Sequence, residues 1–194
     1  LTTSFNSMRA LSGQLYVVGG GGAILRSSDG LTFSPVASSG VVTTNSLSAI
    51  MQQGGTFYAV GDAGTVATSA DGANWTAPAS GIAAAINLRS IAYLNNTVKF
   101  VATGIDNTVG GSPRGVILTS PTAAAGSWTT VLTTSTDSSF GTIYSVAYDG
   151  VGTYVAVGGN DGRNTSGICQ IYTSANGSAW IRRTPAGFTS TLRE

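Results

Sequence analysis

The chain has 194 residues, with nine basic and eight acidic side chains and no histidine, so its formal net charge is +1. A nearly neutral chain with scattered arginines lacks the basic face that a nucleic-acid-binding protein needs, and we expect no nucleic-acid partner. No apolar run approaches the roughly 18 residues that cross a bilayer, so we expect no membrane insertion.

The composition favours strands joined by tight turns, because Gly, Ser, Thr, Ala and Val dominate and helix-favouring Glu, Lys and Gln are scarce. A weakly charged chain rich in Ser and Thr is typical of extracellular or cell-surface proteins, and we expect that location. Cys169 is the single cysteine, so no internal disulfide forms, and its place in a strand pattern predicts a small buried side chain.

In chain order, four segments recur with a period of about 40 to 55 residues. A first strand is predicted at residues 8–11, 47–50, 88–93 and 143–148. A second, which ends on glycine, is predicted at 15–19, 57–61, 99–104 and 154–158. A third is predicted at 23–27, 65–69, 116–120 and 170–174, and a fourth begins at each following aromatic, Phe33, Trp75, Trp128 and Trp180.

This period predicts an all-β protein, a β-propeller of four-stranded antiparallel blades. We assign the blades to residues 6–40, 41–84, 85–136 and 137–189, and residues 190–194 to the start of a fifth. The pattern leaves open a ring of four blades and a segment of a larger propeller. Besides a ligand, we expect the blades to contact further blades of the same polypeptide or identical copies of the chain.

A short phrase joins the third and fourth segments of every repeat. It reads SSDGLTF at 27–33, SADGANW at 69–75, SPTAAAGSW at 120–128 and SANGSAW at 174–180, and we call these four stretches the repeat turns. Asp or Asn accepts hydrogen bonds from nearby backbone N–H groups, and glycine tolerates a positive φ. The residues assigned this structural role are Ser27, Asp29, Gly30, Phe33, Ser69, Asp71, Gly72, Trp75, Ser120, Gly126, Trp128, Ser174, Asn176, Gly177 and Trp180.

The repeat turns resemble those of the Asp-box, or BNR-repeat, β-propellers, which include sialidase-like propellers. The first two copies are one residue shorter than the family phrase, the third has Thr122 in place of Asp, and the fourth has Asn176. The resemblance implies a propeller whose ligand site lies on the face opposite the repeat turns. One Asp per turn offers too few oxygen ligands for Ca²⁺, and we expect neither a metal nor a cofactor.

Two loops between the second and third strands are enlarged, at residues 105–115 and 159–167, whereas the first two blades use three residues. Long polar loops on a rigid scaffold are common binding sites, although solvated loops without a function have the same composition. The candidate ligand-binding residues are Asp106, Asn107, Arg114, Asn160, Asp161, Arg163 and Asn164.

Catalytic residues are scarce in this sequence. There is no histidine for a triad, and the single glutamate is Glu194, so we assign no catalytic residue. Arg9, Arg89 and Arg193 are hypothesised to share one first-strand position and to line the channel as an anion-binding cluster. The sequence therefore favours a non-catalytic module that binds glycan or protein, with two alternatives: a fragment of a glycosidase-type propeller and a structural spacer in a surface appendage or viral fibre.

Overall fold

The computed structural model describes residues 4–37, 40, 42–94, 99–108, 113–133, 142–159 and 170–183. Strands are the main regular structure within these ranges. The only helices among the described residues are two three-residue 3₁₀ turns, Gly20–Gly22 and Asp62–Gly64, and neither is long enough to cross a membrane.

The strands form four antiparallel sheets in chain order, each a simple meander. The first blade contains β1 (Phe5–Leu11), β2 (Gln14–Gly19), β3 (Ile24–Ser27) and β4 (Ser34–Pro35). The second contains β5 (Leu47–Gln53), β6 (Thr56–Gly61) and β7 (Val66–Ser69). The third contains β8 (Ile86–Leu94), β9 (Lys99–Asp106), β10 (Arg114–Ser120) and β11 (Thr129–Thr133). The fourth contains β12 (Thr142–Tyr148), β13 (Tyr154–Gly159), β14 (Gln170–Ser174) and β15 (Ile181–Arg183).

The fourth segment of the second blade is reduced to one residue. Thr76 forms an isolated bridge to Thr68, with reciprocal backbone hydrogen bonds of 2.8 and 2.9 Å. In the other blades the fourth strand begins one residue after the aromatic, at Ser34, Thr129 and Ile181. The predicted propeller of four-stranded blades is confirmed, and the residues assigned to a fifth lie outside the described ranges.

The first strand of every blade is innermost in the stack, because β5 packs against both β1 and β8, and β8 packs against β12. Each boundary between blades holds its own apolar cluster. Leu47 and Ile50 of the second blade pack against Tyr16 and Val18 of the first, and the two later boundaries repeat this arrangement. Fully burying one such side chain contributes about 1.5–3 kcal/mol, so the stack is held together mainly at these boundaries.

The glycine that ends each second strand has a steric cause. A Cβ on Gly61 would overlap the Ser46 carbonyl oxygen, and a Cβ on Gly104 would overlap that of Asn87. A Cβ on Gly19 would likewise overlap the Ser4 carbonyl oxygen, and one on Gly158 would overlap that of Thr142. The backbone of the second strand thus passes directly against the segment that enters the first strand of its own blade.

An antiparallel meander places the connections alternately on two faces. The repeat turns and the hairpins between first and second strands share one face, which we call the repeat-turn face. The connections between second and third strands, and those from one blade to the next, share the opposite face, which we call the loop face.

Candidate functional site

The repeat turns are closed by their own hydrogen bonds. In the second turn, Ser69 Oγ donates to Asp71 Oδ1 at 3.0 Å and accepts the N–H of Gly72 at 2.9 Å. Asp71 Oδ1 also accepts the backbone N–H groups of Ala73 and Asn74, each at 2.8 Å. These donors hold the pKa of Asp71 well below its ordinary value, and the backbone N–H of Asn74 contributes most. Asn74 Nδ2 donates to the second oxygen, Oδ2, at 2.7 Å, so both carboxylate oxygens accept hydrogen bonds from within the turn.

The first and fourth turns repeat this geometry. Asp29 Oδ1 accepts the N–H groups of Leu31 and Thr32 at 2.9 Å, and Asn176 Oδ1 accepts those of Ser178 and Ala179 at 2.9 Å. An amide oxygen replaces a carboxylate oxygen without loss of any of these acceptor contacts. The turn thus requires an acceptor atom at this position and no negative charge.

The third turn departs from the predicted alignment. The N–H that reaches Ser120 Oγ, at 2.8 Å, belongs to Ala123, which has a φ of +58°. The sequence predicts that Gly126 is the glycine of this turn, but its N–H donates to the Ser80 carbonyl of the second blade at 2.8 Å. This turn is two residues longer than the other three, and its glycine lies six residues after Ser120 instead of three, so an alanine takes the left-handed conformation at the usual glycine position.

The aromatics of the repeat turns lie near the blade boundaries. The indole N–H of Trp75 donates to the Gly72 carbonyl at 3.1 Å, and its ring lies edge-on to Phe57 with centroids 6.3 Å apart. Phe57 in turn contacts Tyr16 of the first blade, with a centroid distance of 5.1 Å. Trp180 makes the same indole bond to Gly177 at 3.0 Å, whereas the buried indole N–H of Trp128 has no hydrogen-bond partner in the described part of the chain.

On the loop face, the second blade presents a compact polar group around Asp62. Arg89 Nη1 of the third blade lies 3.2 Å from Asp62 Oδ1 and 3.3 Å from Ser48 Oγ. Asn87 Oδ1 accepts the N–H of Ala63 at 3.0 Å, and Ala63 has a φ of +53°. Side chains from the innermost strand of the third blade therefore fix the loop of the second.

A bulge in each first strand produces this arrangement. The strand pairing shifts by one residue at Asn6, Ser48, Arg89 and Tyr144 in the four blades. A bulge redirects the side chain of the extra residue. Asn6 Nδ2 donates to the Leu47 carbonyl of the following blade at 2.9 Å, whereas Arg89 of the third blade reaches Ser48 of the preceding one. The sequence does not reveal these four bulge residues, because a one-residue bulge leaves the apolar pattern on each side of it intact.

The hypothesised cluster of Arg9, Arg89 and Arg193 is wrong in its alignment. Arg9 pairs with Tyr16, three residues beyond the bulge of its strand, whereas Arg89 is itself the bulge residue. Arg193 lies outside the described residues. The residue directly after the bulge is small in every blade, and it is Ser7, Ala49, Ser90 or Ser145.

Three of the seven candidate ligand-binding residues lie in the described ranges, at the two ends of the enlarged loop of the third blade. Asp106 pairs with Arg114 across β9 and β10, and Asp106 Oδ1 accepts the Thr108 N–H at 2.8 Å. Asn107 is exposed and bonds to the Ala85 carbonyl through both its backbone N–H and its Nδ2, at 3.0 and 3.1 Å. Asn160, Asp161, Arg163 and Asn164 lie outside the described residues.

Arg114 carries an unusual guanidinium. Its Nε is fully buried and has no hydrogen-bond partner among the described residues, although the residue as a whole is partly exposed. An unmatched donor on a charged group carries a free-energy cost. Because this Nε has no accessible surface, a ligand would not reach it, and Arg114 stays a candidate through its position in the enlarged loop.

A cavity of about 400 Å³ also opens on the loop face, beside the Asp62 loop. It is lined by small apolar side chains and by hydroxyl and amide groups, including Val42, Asn45, Thr65, Pro78 and Ile82. Ser80 Oγ donates to the Gly64 carbonyl at 2.6 Å, and Asn45 Nδ2 donates to Thr65 Oγ1 at 2.9 Å, so the polar groups of the walls are held in place. Its volume falls within the range usual for ligand pockets.

The described carboxylates are separated between the two faces. Asp29, Asp71 and Asp149 lie on the repeat-turn face, where backbone donors lower the pKa of each. Asp62 and Asp106 lie on the loop face, and Asp62 is paired with Arg89. No group of three or more His, Cys, Asp or Glu within the described ranges could hold a metal ion.

The chain is similar in fold to several solved propellers. It is 20% identical to "YCF48 from Cyanidioschyzon merolae", with a TM-score of 0.61 over 96% of this chain and 58% of that one. A second structure, "YCF48 bound to D1 peptide", matches at 19% identity and a TM-score of 0.58 over 94% and 55%. A thermostable family-43 glycoside hydrolase matches at 11% identity and 0.57 over 97% and 74%.

What these proteins share is the fold. At identities this low the similarity carries no residue roles, and the chain spans less than three-fifths of the length of the two YCF48 structures. No protein-family model matches the chain, and no curated protein matches it.

Proposed function

We propose that this chain is a non-catalytic binding module that takes a protein segment or a glycan on its loop face, outside the cell or at its surface. One observation carries the proposal: the acceptor groups of the repeat turns are bonded within their own turns, whereas the loop face holds a cavity of about 400 Å³ whose polar wall groups are already held in place. A propeller of similar fold is described as bound to a peptide, which supports a protein ligand for this kind of scaffold.

The structural support comes from preorganisation. The cavity walls and the Asp62 loop are fixed by hydrogen bonds between blades, so a ligand would meet a surface that needs little ordering on binding. The low charge of the chain suits a ligand recognised by hydrogen bonds and shape rather than by net charge. The repeat turns are part of the same proposal, as an Asp-box-type scaffold that holds the binding face rigid.

A glycosidase role has less support. A retaining or inverting glycosidase needs two carboxyl groups about 5–10 Å apart, and its general acid needs a raised pKa. Every described carboxyl group with a perturbed pKa has a lowered one, and all three lie in turns on the repeat-turn face. The likeness to the family-43 enzyme lies in the fold and identifies no acid in this chain.

The proposal is tested by screening the chain against a random-sequence peptide library displayed on phage and against a printed glycan array. The strongest binder is then measured against two matched pairs of variants. Asn107→Ala and Arg114→Ala alter the loop face, whereas Asn74→Ala and Arg26→Ala remove the same side-chain types from exposed positions of the repeat-turn face and β3. We expect an affinity loss of about tenfold or more for the first pair, equivalent to about 1.4 kcal/mol, and less than about twofold for the second.

Failure of both screens to give a binder would contradict the proposal, as would a loss that follows Asn74→Ala or Arg26→Ala. An enzyme assay separates the alternative. Hydrolysis of aryl glycosides that disappears in Asp106→Asn or Asp62→Asn would favour the glycosidase, and we expect no hydrolysis above the uncatalysed rate.

A further inference from the structure

The fourth repeat turn holds the only asparagine of the sequence that is followed by glycine, Asn176 before Gly177. The backbone nitrogen of the next residue can attack an asparagine side chain within the same chain, and glycine presents that nitrogen without a Cβ beside it. The first two repeat turns have Asp followed by Gly at the same place, at residues 29–30 and 71–72. The fourth is therefore the one repeat turn that places a side-chain amide next to a glycine nitrogen.

The oxygen of the Asn176 side chain is surrounded by hydrogen-bond donors. Oδ1 accepts the backbone N–H groups of Ser178 and Ala179, each at 2.9 Å, and the Ser174 hydroxyl at 3.3 Å. When a nitrogen attacks Cγ, negative charge develops on this same oxygen, and donors already aimed at it lower the barrier. The contacts that close the turn thus also favour attack on the Asn176 amide.

Ser174 connects the attacking nitrogen to that oxygen. The N–H of Gly177 donates to Ser174 Oγ at 2.9 Å, and the Ser174 hydroxyl in turn donates to Asn176 Oδ1. Ser174 can therefore accept the proton of the attacking nitrogen while its own proton passes to Oδ1. Ser174 is 4% exposed, whereas Asn176 is exposed, so the proton path is shielded while water still reaches the side chain that reacts.

We propose that the folded chain deamidates itself at Asn176. A bond forms between the Gly177 nitrogen and Asn176 Cγ, and the proton of that nitrogen moves through Ser174 to Oδ1. The bond from Cγ to Nδ2 then breaks, and Nδ2 leaves with this proton as ammonia, so that a five-membered succinimide remains. Water opens the ring at either of its carbonyl groups, which gives an aspartate or an isoaspartyl linkage at position 176.

The aspartate product fits the turn, because Asp29 and Asp71 already occupy the same position and accept the same two backbone N–H groups. Backbone donors lower the pKa of both, and an ionised carboxylate resists attack by the neighbouring nitrogen. The reaction therefore ends in the form that the first two turns have. Lys99 Nζ lies 2.8 Å from Ser178 Oγ, so the new negative charge forms close to a cation.

The modification is independent of ligand binding on the loop face. It adds one acidic side chain to the repeat-turn face and lowers the formal net charge of the chain from +1 to zero. The isoaspartyl linkage inserts an extra atom into the backbone, so it does not keep the acceptor contacts of the turn. The two products thus differ in their effect: one preserves the scaffold with a new charge, and the other disrupts it.

The first test follows the native chain during incubation at mildly alkaline pH, by mass spectrometry of its proteolytic peptides. We expect the peptide that contains Asn176 to gain the mass of an amide converted to an acid, with Asn176→Asp as the chromatographic standard. The peptides that contain Asn74 and Asn107 should stay unchanged, because the side chains of Trp75 and Thr108 crowd the attacking nitrogen. If Asn176 stays intact in the native chain and reacts only in guanidinium chloride, the turn protects it and the proposal is overturned.

The second test isolates the proton path. Ser174→Ala should slow deamidation of the folded chain by about tenfold or more, and Ser174→Thr, which keeps a hydroxyl, should restore most of the rate. Ser69 accepts the Gly72 N–H at 2.9 Å in the second turn, so Ser69→Ala is the matched control, and it should leave the rate at Asn176 unchanged. A serine that only holds the turn closed would give the opposite result. An equal or faster reaction in Ser174→Ala would therefore overturn the proposal, as would equal slowing in Ser69→Ala.

Discussion

The two faces of the propeller follow opposite rules. On the repeat-turn face, four turns of different sequence, with Asp, Asn or Thr at the acceptor position, are held by local hydrogen bonds of one kind. On the loop face, connections in equivalent positions differ in length and composition, and their contacts run between blades. The repeat therefore defines the scaffold, whereas the departures from the repeat define the candidate site.

The largest expected effect concerns the aromatic anchor of a repeat turn. Trp75 is almost fully buried, bonds to Gly72 and lies against Phe57, so Trp75→Ala should lower the free energy of unfolding by about 3–5 kcal/mol. Phe33 occupies the same position in the first blade but is only half-buried. Phe33→Ala should cost less than half as much by urea denaturation, and equal losses would show that burial does not rank the four turns.

The next effect isolates the glycine of a turn. Gly72 has a φ of +71°, and an added Cβ would overlap the Tyr16 hydroxyl, so Gly72→Ala combines backbone strain with a clash between blades. We expect a loss of about 2–4 kcal/mol. Gly126 has nearly the same φ, +72°, but no atom within 4 Å of the added Cβ. Gly126→Ala should therefore cost only about 1 kcal/mol, and the difference between the two variants measures the clash.

A pH titration sharpens the comparison on the repeat-turn face. Backbone N–H groups of Thr153, Gly152 and Val151 lower the pKa of Asp149 from 3.8 to about 2. A lowered folded-state pKa contributes stability that is present above about pH 4 and is lost as the pH falls towards 2. The melting temperature of the native chain should therefore fall more than that of Asp149→Asn between about pH 5 and about pH 2.5. Parallel curves would mean that these donors do not favour the ionised form.

The smallest effect is expected on the loop face. Arg89 and Asp62 form a partly exposed ion pair, and pairs of this kind contribute less than about 1 kcal/mol. Arg89→Ala should leave the melting temperature nearly unchanged. A loss comparable to that of Gly72→Ala would show that the loop face is also part of the scaffold, and the contrast between the faces would disappear.

Much of the fold could be predicted from the sequence because its signals are local and repeated. The glycine that ends each second strand and the phrase of each repeat turn recur along the chain. The glycine avoids a steric overlap within its own blade, and the phrase supplies the hydrogen bonds that close the turn. Four copies in register therefore identified the propeller and the strand order.

The errors came from features that do not disturb the local pattern. A bulge at Asn6 shifts the pairing by one residue while apolar residues continue on both sides, so Arg9 was aligned with Arg89 although the two occupy different positions. The third turn is two residues longer than the others and its glycine lies away from the position that needs it, so Ala123 adopts the left-handed conformation there. The Arg89–Asp62 contact joins residues 27 apart on different blades, and no local pattern predicts such a pairing.

We propose that ligands bind on the loop face while the repeat-turn face acts only as scaffold. The most direct test is amide hydrogen exchange of the chain with and without the strongest binder from the peptide or glycan screen. We expect slower exchange at Ala63 and Asn107 on the loop face and unchanged exchange at Gly30 and Gly72 in the repeat turns. Protection confined to the repeat turns would contradict the claim.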